Sequence, residues 1–92
     1  MPKLVFQTGL RRRLGLEEMS LSSGPCPVRE LIGLAERTQG ISLLPALLDE
    51  RGELFLSVMI LLNGRNIRLL DGLETVVEPD DVLMLFPPSG GG

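Results

Sequence analysis

The sequence predicts an α+β fold in which a mixed sheet of about four to five strands surrounds one main helix. Short β-prone runs lie near both ends of the chain, and one segment between them changes to the 3.6-residue period of an amphipathic helix. With 92 residues, the chain suits one compact domain. Its 43% apolar content includes only 3% aromatic residues, so we expect a core of Leu, Val, Ile and Met.

The first third of the chain predicts an N-terminal hairpin. Residues 3–8 are apolar and β-prone, which favours a first strand. Residues 9–13 contain a glycine and three consecutive arginines, and we expect a turn there. Apolar residues then recur in a polar background over residues 14–21, which indicates a second strand pairing with the first.

The main helix is predicted over residues 27–39. Its apolar residues from Val28 to Ala35 fall at i, i+3, i+4 and i+7, which places them on one helical face. Pro27 suits the first helical position, because its missing N–H would have no partner within the helix there. Gly40 suits the end of the helix, because glycine adopts a left-handed backbone without steric cost.

The second half of the chain predicts one short helix, three strands and one tight turn. They are a helix within residues 41–49 with Pro45 in its first turn, a buried strand over 54–62, a tight turn at 63–64, a short returning strand over 65–68 and a last strand over 82–86. The last strand is apolar on both faces, so we expect it at the centre of the sheet. Two strands, a helix and further strands, in this order, describe a β-grasp.

The composition excludes several functional classes. The chain has no His and one Cys, too few ligands for a zinc, haem or iron–sulfur site and too few groups for a Ser-His-Asp or Cys-His catalytic set. A net charge of −3 argues against binding to a nucleic acid backbone. One cysteine allows no internal disulfide, so we expect a cytoplasmic protein. No basic-then-apolar leader opens the sequence, and its longest apolar stretch is far too short for a membrane helix, so we expect neither secretion nor binding to a membrane.

Two features allow both a structural and a functional interpretation. The basic run Arg11, Arg12 and Arg13 is typical of a solvated turn, but it could also contact an acidic partner. Cys26 precedes the predicted helix, where the helix field could lower the pKa of a thiol. We favour packing as a small apolar residue for Cys26, because no His or second Cys accompanies it.

The strongest chemical feature is the glycine-rich end. We predict a folded domain over residues 1–88 and a flexible tail over residues 89–92, which holds Gly90, Gly91 and Gly92. Glycines carry no side chain near the α-carboxylate, so such a tail can enter a narrow channel and present that group to another protein. A free α-carboxylate is ionised at neutral pH, with a pKa of about 3.5, and needs activation before it reacts. A leftover linker is the alternative interpretation.

Several motifs in the last third together resemble the MoaD/ThiS family of ubiquitin-like sulfur carriers, and the MoaD type in particular. The pattern consists of an apolar strand followed by Asn-Gly, a Gly-containing turn, Asp-x-Val, an apolar strand with an aromatic residue, Pro-Pro and terminal glycines. These stand at 58–64, 71–73, 81–82 and 85–92. The first half agrees more loosely, through a strand, an Arg-containing loop, a strand and a Val-x-Glu-Leu helix start at 28–31.

The resemblance implies a mechanism and a set of partners. An E1-like adenylating enzyme would join AMP to the carboxylate of Gly92 with ATP and magnesium, and a sulfur donor would convert the adenylate to a thiocarboxylate. A synthase such as the molybdopterin synthase large subunit would then accept the sulfur. The resemblance implies that the first and last strands are parallel at the centre of the sheet. It also implies that this chain itself binds no cofactor and no metal. It assigns partner binding to Phe86, Pro87, Pro88 and Arg11.

Two departures from the family pattern leave alternatives open. The chain ends in three glycines rather than two, so either Gly92 is the acceptor on a longer tail or a trimming step removes it. Ser89 stands where an apolar residue is expected. A sulfur carrier for thiamine or thiolated tRNA, a ubiquitin-like modifier joined to lysines, and a plain binding module are the alternative functions.

Overall fold

A computed structural model describes residues 1–88 of the chain. The predicted tail over residues 89–92, with Gly90, Gly91 and Gly92, lies outside the described residues. None of the helices formed by the described part of the chain has the length and apolar character needed to cross a bilayer.

The described residues form seven strands and three helices, together with two short 3₁₀ turns. The strands are β1 (Lys3–Phe6), β2 (Glu18–Ser20), β3 (Cys26–Pro27), β4 (Met59–Leu62), β5 (Arg65–Asn66), β6 (Val76–Val77) and β7 (Val82–Phe86), and the helices are α1 (Thr8–Leu14), α2 (Val28–Gln39) and α3 (Leu44–Leu47). The 3₁₀ turns span Ile67–Leu69 and Gly72–Glu74.

Five strands form one mixed sheet in the order β2-β1-β7-β4-β5. The first and last strands are parallel neighbours, with Lys3 opposite Val82 and Phe6 opposite Leu85. Both β1–β2 and β4–β7 are antiparallel. The predicted β-grasp fold and the central position of the last strand are therefore confirmed, as is the parallel pairing that the family resemblance implied. β3 and β6 pair separately as a two-stranded sheet.

The core lies between α2 and one face of the large sheet. The sheet contributes Leu4, Phe6, Leu83 and Leu85, all fully buried, and the helix contributes the predicted apolar face from Val28 to Ala35. Full burial of one such side chain stabilises a fold by about 1.5–3 kcal/mol. The core is built from Leu, Ile, Val and Met with Phe6 as its buried aromatic residue, as the composition predicted.

The turn predicted over residues 9–13 is wrong, because these residues belong to α1. Leu10 and Leu14 are one helical turn apart; Leu10 is buried, and Leu14 packs against the core. Gly15 ends the helix with a left-handed φ of 70°, and its N–H donates to the carbonyl oxygen of Arg11 at 3.0 Å. A single pair of leucines is too short a pattern to indicate a helix from sequence.

The strand predicted over residues 54–62 is half as long as expected, since β4 begins at Met59. The residues before it form an irregular segment that pairs with the end of α3 through Leu48 and Leu54, and Leu56 in this segment is 94% exposed. A continuous apolar run does not distinguish buried strand residues from apolar residues that lie on a surface. The run therefore predicts a longer buried strand than the one that forms.

Smaller differences concern the ends of elements. β2 is confined to Glu18–Ser20, and the returning strand to Arg65–Asn66, after which the Asn66 side chain accepts from the N–H of Arg68 and starts a 3₁₀ turn. Pro27 is the residue before α2, with an extended ψ of 152°, rather than its first helical residue. It also pairs with Val76 in the small sheet.

Other turn and helix predictions are confirmed. Gly40 ends α2 with a φ of 66°, and α3 carries Pro45 in its first turn. The tight turn lies at Asn63 and Gly64, with φ values of 50° and 85°. Both values lie in the left-handed region, which asparagine and glycine tolerate best.

The Asn-Gly and Asp-x-Val motifs contact each other. The Asn63 side chain donates to Asp81 Oδ1 at 2.8 Å and accepts from the Val82 N–H at 2.9 Å. The second carboxylate oxygen of Asp81 accepts from the N–H of Glu78 at 2.8 Å. These bonds fasten the β4–β5 turn to the start of β7, so the two motifs are explained by structure rather than by partner binding.

We expect Asn63→Ala to lower the free energy of unfolding by about 2–3 kcal/mol, for two reasons. It removes two side-chain hydrogen bonds, and it places alanine at a positive φ, which alanine tolerates less well than asparagine does. Asn63→Gly keeps the backbone conformation and should cost about 1–2 kcal/mol. Urea unfolding of both variants measures the two contributions. Wild-type stability in the glycine variant would contradict a stabilising role for the hydrogen bonds.

Candidate functional site

An open groove of about 1000 Å³ lies beside the end of β7. It is formed where β7 and β4 meet the first residues of α1, the first turn of α3 and the segment before β4. Its lining residues are Thr8, Gly9, Leu10, Arg12, Arg13, Pro45, Ala46, Phe55, Ser57, Met59, Phe86, Pro87 and Pro88. We call this feature the β7 groove.

The floor of the β7 groove is apolar. Phe86 is half-buried and lies directly opposite Met59 in the antiparallel β4–β7 pair. Met59 is 37% exposed and Phe55 is 39% exposed. Phe6 is fully buried in the core, so two of the three aromatic residues in the chain line this one groove. Large exposed apolar side chains that lie together mark an interaction surface.

The structure brings together three of the four predicted partner-binding residues. Phe86, Pro87 and Pro88 are consecutive, half-buried and line the groove. The proline pair ends β7, because neither residue has an N–H to donate to a neighbouring strand. Gly92, the predicted acceptor, and its neighbours Gly90 and Gly91 follow within four residues of Pro88 in sequence but lie outside the described residues.

Arg11 does not line the groove. Its Nε donates to the carbonyl oxygen of Phe6 at 3.3 Å, and its Nη1 lies 3.6 Å from a carboxylate oxygen of Glu17. The side chain therefore joins the middle of α1 to the end of β1 and to the segment before β2. A role for Arg11 in partner binding stays a prediction.

One edge of the groove is fixed where β1 continues into α1. The N–H of Gln7 donates to the carbonyl oxygen of Leu85 at 3.1 Å, which extends the β1–β7 pairing by one bond. Thr8 follows with a φ of 45°. This conformation is strained for a β-branched residue, and it turns the chain sharply into the helix that carries the basic residues.

The opposite edge is fixed by a carboxylate from α2. Glu36 Oε2 accepts from the N–H groups of Leu43 and Leu44 at 2.7 and 2.8 Å. These are donors at the start of α3, where a helix has no partners of its own for them. Glu36 thus holds the short helix that presents Pro45 and Ala46 to the groove.

The segment with Phe55 is held by Arg68. One guanidinium nitrogen donates to the carbonyl oxygens of Phe55 and Val58 at 2.6 and 3.1 Å. The N–H of Phe55 also donates to the carbonyl oxygen of Leu47 at 3.0 Å. Arg68 lies outside the groove but keeps one of its walls in place.

The groove has a basic rim on the α1 side. Arg12 and Arg13 are exposed and line the groove, and neither takes part in a salt bridge within residues 1–88. The last turn of α1 favours positive charge, because the helix dipole ends there with its negative pole. An apolar floor with free cationic groups beside it suits the binding of a protein surface.

The other titratable groups point to structural roles. Cys26 is half-buried, packs against the core and has its Sγ 3.4 Å from the Ser23 hydroxyl, as the packing interpretation expected. Hydrogen bonds from the backbone N–H groups of Glu53 and Arg51 lower the pKa of the Asp49 carboxyl, which holds a surface turn. In the part of the chain that the structure describes, no three His, Cys, Asp or Glu side chains group into a metal site.

Comparisons with known proteins agree with this fold. The model of the ThiS family matches residues 10–92. A putative sulfur carrier protein of Archaeoglobus fulgidus is 33% identical over 75 residues, which cover 82% of this chain and 84% of that protein. The solution structure of small archaeal modifier protein 1 from Methanosarcina acetivorans is 33% identical with a TM-score of 0.70, covering 99% of this chain and 95% of the other.

A solved structure at lower identity has the same fold. The crystal structure of CysO from Mycobacterium tuberculosis superposes with a TM-score of 0.80 at 23% identity and covers 95% of this chain and 98% of the other. The fold and the β7 groove define a small ubiquitin-like β-grasp protein. The chain belongs to the ThiS family, and the relatives named above are sulfur carrier and modifier proteins.

The sequence does not indicate several of the groove residues. Its pattern places Phe55 in a buried strand and Pro45 in a short helix with no further role, whereas both line the groove. The scarcity of aromatic residues is the one signal in the sequence that could have indicated Phe55. The chain has only three aromatic residues and a core rich in leucine, so an aromatic residue within the apolar run 54–62 suggests a role other than core packing. Arg68 and Glu36 leave no sequence signal, since their roles depend on bonds to distant backbone atoms.

We expect Arg68→Ala to loosen the wall of the groove. Loss of the two guanidinium hydrogen bonds should lower the free energy of unfolding by about 1–2 kcal/mol and speed exchange of the Val58 amide hydrogen, which bonds Phe55. Hydrogen exchange followed by NMR measures this. Arg65→Ala is the matched control, because Arg65 is exposed and makes no side-chain hydrogen bond or salt bridge within residues 1–88. Equal exchange rates in both variants would contradict the role of Arg68.

Proposed function

We propose that this protein is a sulfur carrier whose acceptor is the α-carboxylate of Gly92. The observation that carries the proposal is the family match, which extends through residue 92 and so includes the three glycines. The β7 groove supports it, because Phe86, Pro87 and Pro88 form a docking surface directly before the tail in sequence.

The proposed chemistry takes place on partner proteins. A carboxylate oxygen of Gly92 attacks the α-phosphorus of ATP on an E1-like adenylating enzyme, and pyrophosphate leaves. The sulfur of hydrosulfide (HS⁻) then attacks the carbonyl carbon of the acyl adenylate, AMP leaves with the bonding electron pair, a proton is released, and a thiocarboxylate remains. ATP and magnesium belong to the partner, and this chain supplies the docking surface and the carboxylate.

The sulfur acceptor that we propose is a synthase that makes molybdopterin. The Phe86-Pro87-Pro88 sequence followed by glycines resembles the MoaD type more than the ThiS type of carrier. Transfer of sulfur from the thiocarboxylated protein to a molybdopterin precursor, with a synthase large subunit present, tests this step. Transfer only with a thiazole synthase would assign the chain to thiamine synthesis, and transfer only to tRNA would assign it to tRNA thiolation.

A second candidate function is that of a protein modifier. It is favoured by the 33% identity to an archaeal modifier protein over nearly the whole chain. The same adenylate would then be attacked by a lysine amine of a target protein. Adducts of high mass that contain a lysine-linked glycine remnant, found in cells that express the protein, would support this function.

We expect the intact mass of the protein to rise by the difference between one sulfur and one oxygen after incubation with ATP, magnesium, sulfide and the adenylating enzyme. Deletion of Gly91 and Gly92 should abolish the gain. Cys26→Ser is the control, because a persulfide on Cys26 would add a whole sulfur atom instead. An unchanged mass, with the enzyme active on another carrier, would contradict the sulfur role.

The docking role of the groove gives a separate prediction. Phe86→Ala should raise the KM for adenylylation about tenfold and leave kcat nearly unchanged, because a half-buried aromatic residue at a docking surface contributes about 1–2 kcal/mol. Steady-state pyrophosphate release measures this. Leu69→Ala is the matched control, because Leu69 is 84% exposed and lies outside the groove.

The stability of the Phe86 variant is measured by urea unfolding, since part of this side chain packs against the sheet. Phe55→Ala provides a second variant on the same surface with greater exposure. If the KM values of Phe86→Ala and Phe55→Ala were both no higher than that of Leu69→Ala, the groove would not be the docking surface.

A further inference from the structure

The turn between β4 and β5 combines a favourable conformation with a labile chemical group. The turn requires positive φ at both central residues, and asparagine followed by glycine meets this requirement well. Asparagine is also a thermolabile residue, and most of all before glycine, which has no side chain to hinder attack of its backbone nitrogen on the preceding amide. The other asparagine of the chain, Asn66, precedes the branched residue Ile67.

Two features of the fold keep the reacting atoms of this turn apart. The φ of 50° places Asn63 in the left-handed region, where ψ is about +30 to +60°. At such values the Gly64 nitrogen points away from the Asn63 Cβ, whereas a five-membered ring requires the two atoms to be nearly eclipsed. The side chain is also held, because Nδ2 donates to Asp81 Oδ1 at 2.8 Å and Oδ1 accepts from the Val82 N–H at 2.9 Å.

The same turn lies at the surface. Asn63 and Gly64 are both exposed, so water and hydroxide reach them. The Asp81 carboxylate is held in turn by the N–H of Glu78 at 2.8 Å. Hydrogen bonds at an exposed turn open more often than the whole domain unfolds. The frequency of this local opening therefore determines how often the Asn63 amide can meet the Gly64 nitrogen.

We propose that Asn63 is a site of spontaneous deamidation, whose rate is set by the opening of its hydrogen bonds to Asp81 and Val82. In the open turn, the Gly64 nitrogen gives its proton to hydroxide and attacks Cγ of Asn63. A C–N bond forms, and the side-chain nitrogen takes up a proton from water and leaves as ammonia. Water then adds to one of the two carbonyl carbons of the cyclic imide, and the bond from that carbon to the Gly64 nitrogen breaks. The sum consumes one water and releases one ammonia.

Neither product can rebuild the turn. Addition of water at Cγ breaks the bond from Cγ to the Gly64 nitrogen and gives an aspartate, which has no N–H to donate to Asp81 and places a second carboxylate against it. Addition at the backbone carbonyl gives an isoaspartate, which adds a methylene to the chain between β4 and β5 and disturbs their register. Each conversion therefore loosens the start of β7 permanently. The inference needs no partner protein and is independent of the proposed function.

The first test compares the folded and the urea-unfolded wild-type protein in mildly alkaline buffer. Peptide mass spectrometry follows the gain of the mass difference between a hydroxyl and an amino group at Asn63. We expect the reaction to be about tenfold or more faster in the unfolded chain, in which the turn is always open. Asn66 is the internal reference and should react slowly in both states, because Ile67 hinders the attack. Equal rates at Asn63 in the two states would overturn the inference.

The second test changes the hydrogen-bond partner and leaves the reacting residues intact. Asp81→Ala should speed deamidation of the folded protein about fivefold, because it removes the acceptor of Asn63 Nδ2. Asp80→Ala is the matched control, since it removes an exposed neighbouring carboxylate and should stay within about twofold of wild type. Arg68→Ala controls for a general loss of stability, because Arg68 bonds Phe55 and Val58 and not the turn. Circular dichroism shows whether each variant is folded.

Three outcomes of this second test would overturn the inference. An equal rate in Asp81→Ala and Asp80→Ala would show that the hydrogen bonds do not control the reaction. A slower rate in Asp81→Ala would show that they hold the side chain in a reactive conformation. An equal increase in Arg68→Ala would assign the reaction to unfolding of the whole domain.

The consequence for the fold is measured separately. Asn63→Asp reproduces one product, and we expect a lower urea midpoint than in wild type and about fivefold faster exchange of the Val82 amide hydrogen. Deamidated wild-type protein, separated by ion exchange, should show the same two changes. A wild-type midpoint and exchange rate in both samples would overturn the loosening of β7.

Discussion

The parallel pairing of β1 with β7 is the constraint on which the rest of the structure depends. It joins the first strand of the domain to the last, with four residues of each in register. Leu4 and Phe6 on one strand and Leu83 and Leu85 on the other are fully buried, so the pair forms the centre of the core as well as of the sheet. Pairing segments so distant in sequence costs chain entropy, which burial of these side chains offsets.

The β7 groove follows from the same pairing. The Gln7 N–H bond to Leu85 continues the β1–β7 register to the point where α1 begins, which places Arg12 and Arg13 in the same groove as Phe86. Alternation along β7 then separates two roles. Leu83 and Leu85 point to the helix and stabilise the fold, whereas Phe86 points to the groove. Alternate residues of the same strand can therefore serve different purposes: those on one face stabilise the fold, and those on the other face can bind a partner.

The sequence predicted the elements that have a full local pattern. The helix from Val28 to Gln39 shows its apolar period over about two turns, from Val28 to Ala35, and Asn63 with Gly64 satisfies a turn that requires positive φ. The sequence does not predict α1, because Leu10 and Leu14 are its only periodic pair. It predicts a strand that begins before Met59, because Phe55 is apolar although it is not buried. The groove itself joins parts of the chain that only the tertiary fold brings together. Of its residues, Phe86, Pro87 and Pro88 were predicted, and only by family resemblance.

The family motifs therefore serve different purposes. Asn63 and Asp81 bond to each other and define the start of β7, so their presence is explained by folding alone. Pro87 and Pro88 define its end: without N–H groups they cannot extend the pairing with β4 beyond Phe86. The two ends of β7 are thus set by different chemistry, a hydrogen-bonded turn and a pair of prolines. If the glycines that follow carry the reactive carboxylate, as we propose, the prolines separate two functions along the chain: side chains up to Pro88 select the partner, and a backbone without side chains delivers the reacting group.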